Sequence, residues 1–222
     1  MRAMTTTGHL TKNDPASNLR SILDEASAQY KELTGRDLAT HPFAAKFDNW
    51  DSVDAVLDVF QDQARKFNEV RKGNEKLMEW LRPMVQVSVS ISASLGNVLS
   101  TVGFKYLCPL HRCTLTPVSQ TFPPAQAVFT GISVLLSVSV FLNSLLLGHI
   151  TLDSQAAVGV VASYEVLVNL FESVHHFLLR LKIYTDIPLT TELTEILGKI
   201  MAEIIFILAL GTKEFMRKSI SE

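Results

Sequence analysis

The chain has 222 residues, 47% hydrophobic and 19% charged, which supplies the core of a single domain and argues against global disorder. Twenty Lys and Arg against 22 Asp and Glu leave a net charge of −2, without the basic excess that marks a nucleic-acid binder. Two cysteines cannot build a disulfide framework, and the opening MRAMTTTGHLTKNDP has no apolar stretch to serve as a signal peptide, so a reducing, cytoplasmic setting is expected.

Residues 1–13 read as a tail. Asp14 and Pro15 form an N-cap and first-turn pair, because proline gives up an N–H that a helix start leaves unbonded anyway. Leu19, Ile22, Leu23, Ala26, Tyr30 and Leu33 then recur at spacings of three and four, and Gly35 supplies a left-handed stop. RDLATHPFAAKFDNW is a connector. Asp51 or Ser52 opens a second helix with the stripe Val53, Val56, Leu57, Phe60, Ala64 and Phe67, which Gly73 ends. Its other face (Asp54, Asp58, Asp62, Arg65, Lys66) reads as solvated surface. Asn74 starts a third helix burying Leu77, Trp80 and Leu81, and Pro83 either kinks it or opens the next one. The alternation through Val85–Ser92 imitates a strand.

Charge then almost vanishes: residues 83–163 carry only Lys105, Arg112 and Asp153. A run from Pro123-Pro124 to Ile150 is long enough to cross a bilayer, and a helix enclosed on all sides by a bundle would look the same. Gln126, Thr130, Ser133, Ser137, Ser139, Asn143 and Ser144 dilute it, and no basic cluster flanks it to fix an orientation. Beyond it, Tyr164, Leu167, Val168, Phe171, Val174, Leu178 and Leu181 share a face up to Thr185-Asp186-Ile187-Pro188. Thr190 or Thr191 caps a last helix with Leu193, Ile196, Leu197, Ile200, Ile204, Ile207 and Leu208 inward, and residues 219–222 are left as a tail. The fold class is therefore all-α, an antiparallel multi-helix bundle with Phe60, Trp80, Val128, Leu135, Phe171, Leu178, Ile200 and Ile207 in its core.

The chemistry-bearing motifs are few. Gly198-Lys199 continues into Ile200 rather than closing a phosphate loop, and there is no G-x-S-x-G elbow or H-E-x-x-H helix. Cys108, His111 and Cys113 cluster, one ligand short of a structural zinc site, so no metal is expected there. His175 and His176 are adjacent and point about 100° apart on a helix, one at a boundary and one on the surface. The expectation is no enzyme activity, no cofactor, no small-molecule substrate and no nucleic acid.

Four short motifs carry a family resemblance: L-T-G-R-D-L at 33–38, T-H-P at 40–42, F-P-P-A at 122–125 and I-Y-T-D-I-P at 183–188. With the sequences around them, and with residues 194–213, they are similar in content and order to the fungal STAND N-terminal Goodbye domain. The resemblance implies an all-helical signalling or effector module over residues 14–218. Such modules stand ahead of a NACHT or NB-ARC nucleotide switch and are related to HeLo-type domains, some of which target membranes and trigger cell death. Partners would then be proteins or further copies engaged through helix faces, with membrane association, or one transmembrane helix near 125–150, as the alternative.

Two features depart from that pattern. No switch domain follows before Glu222, so the expectation is a stand-alone module, a truncated gene model or a degenerate copy. Two segments, about 102–120 and 138–155, also interrupt the order and read as irregular insertions. Removing them joins GNVLST to TFPPAQAVF and VLLS to AAVGVVASYEVL. Each opens on Val, whose codons begin GT, and closes on Gln, whose CAG codon ends in AG. We hypothesise that both are translated introns; continuous transcript reads across both, without spliced junctions, would rule this out.

Overall fold

The computed structural model describes residues 15–47, 52–70, 76–103, 124–149, 154–185, 187 and 190–220. Among them are six α-helices and one short 3-10 helix, with no strand: α1 (Pro15–Thr34), the 3-10 helix (Ala44–Phe47), α2 (Val53–Val70), α3 (Lys76–Gly103), α4 (Pro124–His149), α5 (Ser154–Thr185) and α6 (Thr191–Ile220). The chain is all-α. The expected tail at 1–13, the possible caps Asp14, Asp51 and Asn74, the stop Gly73, and the side chains of Lys66, Phe67 and Tyr164 lie outside the described residues.

A left-handed glycine and two capping hydroxyls close helix ends that the sequence marks. Gly35 has φ of 68° and its N–H donates to the Lys31 carbonyl at 2.8 Å, ending α1 in the left-handed conformation that glycine adopts without Cβ strain. The Ser52 hydroxyl accepts from Ala55 N–H at 3.1 Å, and the Thr190 hydroxyl from Leu193 N–H at 3.2 Å, so these two residues are the N-caps of α2 and α6. Pro83 sits inside α3 and does not open a new helix. The buried positions Leu77, Leu81, Met84, Ser88, Ile91 and Leu95 run past it on one unbroken face, which is also why the Val85–Ser92 alternation does not become a strand.

The connector after α1 is part of the core. The Thr34 hydroxyl donates to the Tyr30 carbonyl at 2.8 Å and accepts from Arg36 N–H at 3.2 Å. Asp37 accepts from Ala39 N–H and pairs with Lys31, both at 3.0 Å. These bonds fold the segment back so that Leu38, Ala44 and Phe47 are buried. Phe47 meets Phe60 of α2 and Phe129 of α4, with ring centroids 5.6 and 5.7 Å away, and Phe60 and Phe129 stand edge to face at 6.1 Å.

Helix α4 is the centre of the bundle. Every residue from Pro124 to Leu136 is buried, against α2, α3, α5, α6 and the 3-10 helix, as expected of a helix apolar on all sides. The Gln126 amide donates to the Ala44 carbonyl at 3.1 Å, and the Ser139 hydroxyl to the Leu135 carbonyl at 2.7 Å. Gly131 allows close approach, since a Cβ there would stand 3.1 Å from Leu208 Cδ1. Gly211 likewise faces Leu135 and Leu170. The pairs Gly131–Leu208 and Leu135–Gly211 show that α4 and α6 run in the same direction. So do α1 and α6, which make the heaviest helix contact, through Leu19 on Gly198 and Tyr30 on Thr212, so these two packed pairs are parallel where an antiparallel bundle was expected.

Of the eight expected core residues, Phe60, Val128, Leu135, Phe171 and Leu178 are fully buried. Trp80, Ile200 and Ile207 are only partly buried against the cluster. The inward face of α6 is centred on Leu197, Met201, Ile204 and Leu208, so Ile200 and Ile207 fall one residue, about 100°, to its side. Ile196, also expected inside, is 53% exposed for the same reason. Trp80 flanks the α3 stripe, where its size is accommodated at the rim.

The segment 138–155 is not irregular where it is described. Residues 138–149 are the last turns of α4 and 154–155 open α5; these residues include no proline to break a helix, and their four leucines favour one. Residues 102–103 end α3, and the rest of the first segment lies outside the described residues. Ser219 and Ile220, expected in the tail, continue α6.

Candidate interaction surface

The motifs with a chemical look resolve into packing. Gly198 is buried where a Cβ would collide with the Leu19 side chain, so its glycine serves the α1–α6 contact rather than a phosphate. Lys199 pairs with Glu195 at 2.7 Å on the surface, and that bond holds the Glu195 carboxyl below its usual pKa. His175 is half-buried, with Nδ1 lacking a hydrogen-bond partner. Burial, and secondarily His176, lowers its pKa. His176 is exposed and lies 3.8 Å from Glu172. Cys108, His111 and Cys113 lie outside the described residues, and among the described residues no group of three His, Cys, Asp or Glu could hold a metal ion.

The buried polar groups fall into two sets. Tyr30 and Thr212 face each other at 3.4 Å between α1 and α6, and Thr212 also donates to the Leu208 carbonyl at 2.8 Å. Desolvation pushes the Tyr30 hydroxyl up to about 12, the bond to Thr212 opposing it only in part. In contrast, the hydroxyls of Ser88, Thr130 and Ser133 and the amide of Gln63 are buried without hydrogen-bond partners. Described ion pairs are peripheral: Asp54–Arg82 at 3.3 Å, Asp62–Arg65 at 2.7 Å and Glu214–Arg217 at 3.0 Å, all substantially solvated.

The family-like motifs divide by use. L-T-G-R-D-L ends α1 and buries Leu38; the last two residues of F-P-P-A, Pro124 and Ala125, start α4 and are buried, and the first two lie outside the described residues. I-Y-T-D-I-P behaves differently. At the end of α5 it leaves Ile183 64% and Ile187 48% exposed, with Tyr184 exposed between them. Phe177, Leu179 and Ile196 add further exposed apolar side chains at the α5–α6 end of the molecule. The inward stripe read for α5 leaves out Phe177, Leu179, Ile183 and Tyr184, and nothing in their spacing marks them as a surface in their own right.

Among the described residues one helical stretch, Pro124–Phe141, is long and apolar enough to cross a membrane, and 83% of it is buried inside the protein. No family model, curated protein or solved structure matches the chain. The Goodbye resemblance therefore rests on the motifs quoted above.

Proposed function

We propose that this chain is a non-enzymatic signalling or effector module of the fungal STAND N-terminal kind, working by association through a helix face. The observation that carries the reading is the exposure of Ile183 and Tyr184 at the end of α5 and of Ile187 just beyond it, which the fold leaves in water although Leu178 and Leu181 of α5 are core. Protein partners or further copies would dock there, in the cytoplasm, with no cofactor or small-molecule substrate required. The test is co-purification from cells of the full chain and of an Ile183→Glu/Ile187→Glu variant. The bound proteins should be lost with the variant while its thermal melt is unchanged; an identical bound set would overturn the proposal.

A membrane-associated reading has one specific support, the length and apolarity of α4. Carbonate extraction separates the two readings: release into the soluble fraction favours the bundle module, and retention until detergent is added favours a membrane-spanning α4. Liposome leakage by soluble protein would instead indicate a membrane-active effector.

A further inference from the structure

We draw no further inference here: the strongest candidate, the apolar surface patch of Phe177, Ile183, Tyr184, Ile187 and Ile196 at the α5–α6 end of the bundle, is the surface already described, and nothing in the structure shows what covers it.

Discussion

Replacing Thr130 by Val should stabilise this protein. Thr130 lies in the middle of α4, fully enclosed, and its hydroxyl has no hydrogen-bond partner. Folding therefore strips water from that oxygen with nothing in exchange, at a cost of about 1–3 kcal/mol. Valine keeps the branched shape and removes the polar atom, so most of this cost should be recovered. For a chain of this size each kcal/mol corresponds to roughly 2–4 °C in Tm. Ser133→Ala should act in the same direction, with up to about 0.5 kcal/mol of added helix propensity and a small loss from the vacated volume. Thr212→Val is the control, because that hydroxyl bonds the Leu208 carbonyl and faces Tyr30. It should lose about 1–3 kcal/mol by leaving the Tyr30 hydroxyl without its partner. Urea titrations followed by circular dichroism read all three. If Thr130→Val and Thr212→Val destabilise alike, the Thr130 hydroxyl has a partner and the reasoning is wrong.

Phe171 is buried on α5, so Phe171→Asp places an uncompensated carboxylate in the core and should unfold or aggregate the protein; a retained cooperative thermal transition would contradict the bundle. Phe60→Ala removes one ring of the three-phenylalanine cluster and should cost about 3–5 kcal/mol by chemical denaturation; a loss well under that range would mean the cluster closes over the gap. Tyr30 gives an alkaline signature. Its folded pKa, about 12, lies above the ordinary value of 10.0, so the stability it contributes is complete below pH 10 and is lost as pH rises toward 12. Tyr30→Phe should therefore show a shallower fall in stability across that window, and parallel curves for the two proteins would refute the assignment. Ile183→Glu, on an exposed side chain, should change Tm by no more than a degree or two; a large drop would mean that position is covered.

Helix boundaries were legible wherever a capping hydroxyl or a left-handed glycine closes them. Gly35 announces a stop through chemistry confined to a few neighbouring residues, while Ser52 and Thr190 were each one of two possible caps that only the structure could choose between. Stripes were less completely legible, because a spacing of three or four is satisfied by two adjacent faces of the same helix. Ile200 and Ile207 meet the rule as well as Met201 and Leu208 do, and only the position of α1 and α4 decides which pair turns inward. The connector was under-read for a related reason. Its burial depends on Phe47 reaching Phe129, 82 positions along the chain, and no local pattern encodes that meeting. The exposed end of α5 went unread for a different reason: Phe177, Leu179, Ile183 and Tyr184 fall outside the core stripe, and their spacing alone does not mark a surface.

The same ambiguity in α4 can be argued further from its fit. Hydropathy treats a lipid-facing helix and an enclosed one alike, since both replace water with hydrocarbon. The two differ in how specific their contacts are. Around α4, Phe129 completes a three-ring cluster, Gly131 leaves room for Leu208, and Gln126 satisfies the carbonyl of Ala44, which is itself buried in the connector. Lipid chains would have no use for these three fits, and the Gln126 amide would lose its acceptor in them. Withdrawing α4 would also uncover the apolar faces of α2, α3 and α6 together, because each packs against it. The helix most like a membrane span is thus the one enclosed by α2, α3, α5, α6 and the 3-10 helix, and the specificity of those contacts favours α4 as the core of the bundle.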